Sequence, residues 1–155
     1  MKDIWTWNDE ELEEVHDYIQ WLFPLEEPSQ FNPDAPLLSE NDIAAFKSDQ
    51  LLQANLTNSF QRILTFLGLA VTGDGKVIEG DNFSQRIADV WAWPNHNWLR
   101  ISRILRSLTL LGMGVQAKAF YEQLSAFYQN RRFPIPVSSF QFWTDAVADG
   151  VGNPQ

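Results

Sequence analysis

Between His16 and Leu25 the chain reads HDYIQWLFPL, and this stretch constrains the fold more than any other. Aromatic and aliphatic side chains alternate with His, Asp and Gln, and Pro24 ends the run. A helix that covered a core with one face only would not need Trp21 beside Gln20 on its polar side. The helix that Pro24 ends is predicted to start at Asn8. Asn8 suits the N-cap, Glu11 holds the capping-box position, and Asp9 and Glu10 suit the positive end of the helix dipole. Leu12, Val15, Ile19, Leu22 and Phe23 then recur at three-to-four spacing, which marks one buried face. Trp5 or Trp7 is expected to fold back on the helix start.

A second stretch has the same mixed character. His96 to Gly112 reads HNWLRISRILRSLTLLG and carries the other of the two histidines. Ile101, Ile104, Leu105, Leu108 and Leu111 form its core face, interrupted by Arg103 and Arg106 on the other side. Between the two stretches, Pro24, Pro28, Pro33 and Pro36 predict an extended loop. Ser39 with Asp42 begins a short helix, and another starts near Asp49 with the stripe Leu52, Leu56, Phe60, Ile63 and Leu67 before Gly68. Gly73-Asp74-Gly75 between Val71 and Val77-Ile78 is a hairpin turn signal. Short helices over 83–91, 115–130 and from Ser138 or Ser139 to Val147 complete the reading, with FPIPV non-helical before the last. The fold class is mainly α, an irregular bundle of six or seven helices with one short β-hairpin near residues 69–79, in a single domain over 1–155.

Composition narrows the function. There is no cysteine, which excludes disulfides and thiolate chemistry and fits a reducing, cytoplasmic setting. The first residues are acidic without an apolar core of a secretory signal, and no apolar run is long enough for membrane insertion. A net charge of −9 argues against nucleic-acid binding. The charge is uneven: residues 1–49 hold 13 acids and 2 bases, the remainder 7 acids and 9 bases. Either an acidic first part docks on a more basic second part, or the acids form a solvated surface.

Taken together, HDYIQWLFPL, the following PSQFNPDAPLL and HNWLRISRILRSLTLLG resemble the conserved domain of the opioid growth factor receptor family, over about residues 5–130, with 131–155 as a C-terminal extension. The third segment carries the family pattern at His96-Asn97, Arg100-Ile101, Arg103 and Leu111-Gly112. The chain looks like a stand-alone version of that domain. The resemblance implies a domain associated in animals with binding the pentapeptide methionine enkephalin. It carries no established ligand residues over to this chain.

The residues themselves leave alternatives open. Glu13, His16, Asp17 and Gln20 share one helical stripe; His96, Arg100, Arg103 and Ser107 share another. The stripes are complementary in charge. They either lock two helices together, Asp17 or Glu13 against Arg100 or Arg103, or line a polar pocket. In the second reading the ligand-binding set is His16, Asp17, Gln20, Trp21, His96, Asn97, Arg100 and Arg103, with Tyr18 and Trp98 as further apolar walls. No metal-ligand spacing and no phosphate loop or nucleophile motif is present, so no cofactor, no metal and no catalytic residue is assigned. The expected function is a non-enzymatic, acidic binding module whose partner is a small peptide, an anionic small molecule or a protein. The alternative is a small enzyme on an anionic substrate, with His16 and Asp17 as acid–base pair and Arg100 and Arg103 holding the anion. Trp91, Trp93 and Trp98 are expected in the core; any of them left in solvent would mark a partner-binding surface.

Overall fold

The computed structural model describes residues 5–14, 18–26 and 37–148. It is mainly helical with one small antiparallel hairpin. In chain order the elements are α1 (Asp9–Glu14), α2 (Ile19–Leu22), α3 (Glu40–Ser48), α4 (Gln50–Phe66), β1 (Leu69–Val71), β2 (Val77–Glu79), α5 (Phe83–Arg86), a π-helical turn (Ile87–Trp91), α6 (His96–Leu110), α7 (Gly114–Gln129) and α8 (Val137–Ala148).

Local chemistry explains most boundaries. Asn8 and Glu11 form the predicted capping box: the Glu11 N–H donates to Asn8 Oδ1 at 2.9 Å and the Asn8 N–H to Glu11 Oε1 at 3.2 Å. Ser39 and Asp42 do the same at the start of α3, where the Ser39 N–H, and after it the Ser39 hydroxyl, hold the Asp42 carboxyl below the usual carboxylate range. Asp49 ends α3 and caps α4. Gly68 follows α4 at φ +83°, a backbone that side-chain-bearing residues rarely adopt. The hairpin pairs Leu69 with Glu79, Ala70 with Ile78 and Val71 with Val77. The last helix begins at Val137, ahead of the predicted serines, because Pro136 suits a helix start: its carbonyl accepts from Phe140 N at 3.1 Å.

The core gathers around α6. Ile101, Leu105, Leu108 and Leu111 are fully buried, as are Phe120 and Leu124 from α7 and Trp143 from α8. Three indole N–H groups act as pegs between elements. Trp91 donates to the Leu67 carbonyl at 2.8 Å, Trp98 to that of Val90 at 2.7 Å, and Trp143 to that of Trp98 at 2.9 Å. Each buries a large apolar surface while leaving no indole donor unsatisfied. Phe83, Trp91, Phe127 and Phe133 form one ring cluster, and Arg132 lies over three of these rings while pairing with Glu79 of β2. Gln53 closes two helix ends at once, donating its side-chain amide to the carbonyls of Phe46 and Leu111.

Candidate functional site

The polar stripe of α6 meets the N-terminal segment. Asn95 caps α6 by accepting from the Asn97 N–H at 2.9 Å, which fixes the phase of the stripe. Asn97, fully buried, then donates to Glu13 Oε2 at 3.1 Å, and His96 Nε2 lies 3.4 Å from Glu13 Oε1. Arg100, only 8% exposed, donates through Nη1 to the Leu12 carbonyl at 2.9 Å and to Asn97 Oδ1 at 3.0 Å. One and two turns further on, Arg103 donates to the Phe23 carbonyl and Ser107 to the Pro24 carbonyl, both at 2.9 Å. Leu12 lies in the last turn of α1, and Phe23 and Pro24 follow α2, so α6 supplies donors to carbonyls that short helices leave without partners. Glu13, the member of the first stripe whose side chain is described, therefore faces α6, and Glu13 and Arg100 belong to one network. Among the described residues, however, the arginines reach backbone carbonyls, and the Glu13 carboxylate is taken by Asn97 and His96.

Four of the eight residues of the expected ligand set, His96, Asn97, Arg100 and Arg103, thus line one seam. His16 and Asp17 lie outside the described residues, as do the side chains of Gln20 and Trp21, whose backbone belongs to α2. Tyr18 lies in the seam beside Arg100, whose guanidinium stacks 5.1 Å from the ring centroid, while the Trp7 ring meets Tyr18 edge-on at 5.7 Å. Among the described residues, the buried Tyr18 hydroxyl has no hydrogen-bond partner. Burial pushes this phenol up to about 12, against the opposing pull of Arg100. Tyr18, Asn97 and Arg100, with Ile63, Phe66 and Ile101, border a cavity of about 10 Å³, room for no more than a single water molecule.

A second set of contacts, which the pattern of the sequence did not single out, fastens the same segment to α4 and α5. Arg62 donates to the Trp7 carbonyl at 2.7 Å and to Asp9 at 3.0 Å, Arg86 approaches Asp9 at 3.8 Å, and the Trp5 indole donates to Ser59 at 2.9 Å. The available signal was the placement of Ser59 and Arg62 beside the apolar stripe of α4, three residues apart. Among the described acids of the first part, Asp9 pairs with Arg62 and Glu13 meets Asn97 and His96, while Glu10, Glu11, Glu40 and Asp42 stay exposed.

Of the three clustered tryptophans, Trp91 and Trp98 are buried and Trp93 is 72% exposed. The π-helical turn sets this. Ala92 N–H bonds to the Ile87 carbonyl at 2.8 Å, and Asn95 Nδ2 then pins the carbonyls of Val90 and Trp93, both at 2.7 Å, so the Trp93 backbone is held while its ring faces water. Leu99 and Phe142, chain neighbours of the packed Trp98–Trp143 pair, are also more than half exposed.

These features define a mainly α domain whose N-terminal segment is held on its central helix by a buried polar seam. The chain belongs to the opioid growth factor receptor family: it matches the model of the opioid growth factor receptor conserved region over residues 1–147. It is 41% identical to the opioid growth factor receptor of Homo sapiens over 111 residues, which are 70% of this chain and 16% of the human protein. It is 36% identical to the opioid growth factor receptor-like protein 1 of Mus musculus over 109 residues, 70% of this chain and 23% of that protein. The chain spans less than a quarter of the length of these relatives. No solved structure matches it.

Proposed function

We propose that this domain is a non-enzymatic binding module for a peptide or protein partner. The observation that carries the reading is the use of the α6 stripe. Asn97, Arg100, Arg103 and Ser107 are engaged with the N-terminal segment, and the cavity beside them holds no more than one water molecule. A small-molecule site needs a cleft of several hundred Å³. The names of the relatives, receptors for an opioid growth factor, support a peptide partner. Trp93, Leu99 and Phe142 supply exposed apolar surface of the kind that anchors such a partner, and Trp93 is presented on a pinned backbone.

Methionine enkephalin, the peptide implied by the family resemblance, is the first probe. Its titration into labelled protein, followed by the indole N–H signals, is expected to move Trp93 and leave the buried Trp91, Trp98 and Trp143 in place. Trp93→Ala is expected to weaken binding about tenfold or more with folding unchanged. Binding of an inorganic anion such as phosphate at the α6 stripe, with Trp93 unmoved, would overturn this reading in favour of an anion site; so would a Trp93→Ala variant that binds the peptide undiminished.

A further inference from the structure

The tip of the β1–β2 hairpin holds Asp74 followed by Gly75, fully in solvent. Nothing lies within 4 Å of the place a Gly75 side chain would occupy. An Asp side chain and the next backbone nitrogen are one ring closure apart. Gly75 N can attack the Asp74 carboxyl carbon; the N–C bond forms, a C–O bond breaks, and the carboxyl oxygen leaves as water with the nitrogen's proton. Water then opens the five-membered succinimide at either carbonyl. One opening restores aspartate; the other leaves isoaspartate, with the chain running through the side-chain carbon and the mass unchanged. A glycine in the second position offers least hindrance to this closure.

Thr72 opposes each requirement of the reaction. Its carbonyl accepts the Gly75 N–H at 3.0 Å, which occupies the attacking nitrogen. Its hydroxyl donates to Asp74 Oδ1, which favours the carboxylate, a poor electrophile, over the carboxylic acid. The same hydroxyl accepts from Lys76 N at 3.0 Å, and Thr72 N donates to the Lys76 carbonyl at 2.8 Å, so the five residues from Thr72 to Lys76 are tied into one turn. We infer that Asp74–Gly75 is a latent isoaspartate site that Thr72 holds in check. Conversion would add a backbone carbon within two residues of the Val77 pairing and move the carboxylate away from Thr72. The hairpin tip is thus a point at which this domain ages chemically, and its guard is Thr72.

The test is incubation of the full chain at physiological temperature and mildly acidic pH. Isoaspartate is then measured in the tryptic peptide Ile63–Lys76, which separates this site from the second Asp-Gly pair, Asp149–Gly150. The wild type is expected to convert several-fold more slowly than a free peptide of the same sequence. Thr72→Val, which keeps the β-branched shape, is expected to convert about three- to tenfold faster than wild type, because the Asp74 carboxyl loses the hydroxyl that favours its carboxylate form. Thr72→Ser keeps the hydroxyl and is expected to stay within twofold of wild type, a comparison that stands even if the valine variant loses its hairpin. Conversion of the wild type at the peptide's rate, no conversion in the peptide, or equal rates in Thr72→Val and wild type would each overturn the inference.

Discussion

Arg100 donates to the main-chain carbonyl of Leu12 at 2.9 Å, across 88 residues of sequence. The contact is buried, charge-assisted, and directed at the end of a six-residue helix that has little stability of its own. It ties α1 to the second motif, as Arg103 and Ser107 tie the Phe23 and Pro24 carbonyls of the first motif to it.

Arg100→Ala is therefore expected to cost about 2–4 kcal/mol, since it leaves the Leu12 carbonyl and Asn97 Oδ1 without this donor in a buried place. Arg100→Lys is expected to recover less than half, because an ammonium lacks the planar guanidinium that covers the Tyr18 ring while one of its nitrogens donates to both acceptors. Urea titration measures both; a loss below about 1 kcal/mol for the alanine variant would show the seam to be energetically idle.

Tyr18→Phe is expected to stabilise the domain by about 1 kcal/mol, because it removes a buried hydroxyl that has no hydrogen-bond partner among the described residues. The same residue shapes the alkaline limb. Its phenol is raised from 10.0 to about 12 in the folded state. The folded chain therefore retains the proton where the unfolded chain has lost it. This contribution is fully present below pH 10 and is lost as pH rises through 12. The loss is about 2–3 kcal/mol, and the phenylalanine variant lacks it. Parallel pH–stability curves of the two proteins in this window would contradict the assignment.

Trp143→Phe is expected to cost about 2 kcal/mol, from the lost donor to the Trp98 carbonyl and the space left in the core. Trp93→Ala is expected to stay within about 0.5 kcal/mol, because its ring faces water. Thermal melts of the pair check the peg role; a larger loss at Trp93 would mean that its ring is packed.

Gly68→Ala is expected to destabilise by about 2 kcal/mol or more, against a rise in stability at an ordinary glycine. The backbone sits at φ +83°, and an added methyl group would meet the Phe83 Cα at 3.0 Å. A Gly68→Ala chain as stable as wild type would show that the α4–hairpin junction relaxes freely.

Much of the fold was legible because its causes are local. The capping boxes at Asn8–Glu11 and Ser39–Asp42, the stop at Gly68 and the turn through Asp74-Gly75 involve groups at most a few residues apart. The stripe Leu52, Leu56, Phe60, Ile63 and Leu67 and the core face of α6 are read from helical period alone, and all of these residues are buried except Leu52, which is half-buried near the start of α4. Boundaries failed where the cue was weak, as at Val137, where Pro136 outweighed the serines. The complementary stripes of Glu13 and Arg100 also announced that α1 and α6 would meet.

Which backbone groups α6 would also reach was a tertiary decision. The charged side chains of the sequence advertise one another, whereas a backbone carbonyl is present at every residue and carries no sequence signal. Only the ends of α1 and α2 brought against α6 turn Leu12, Phe23 and Pro24 into partners for Arg100, Arg103 and Ser107. The same holds for the tryptophans. Trp91, Trp93 and Trp98 are equally apolar on paper, and the π-helical turn with its Asn95 anchor decides that Trp93 alone of the three faces water. The sequence by itself determined most helix starts and stops and which faces are apolar, because those follow from neighbours along the chain. The pairing of polar groups, and the choice of which ring stays outside, required the chain to be folded, because each depends on a phase and a partner set by residues far away in sequence.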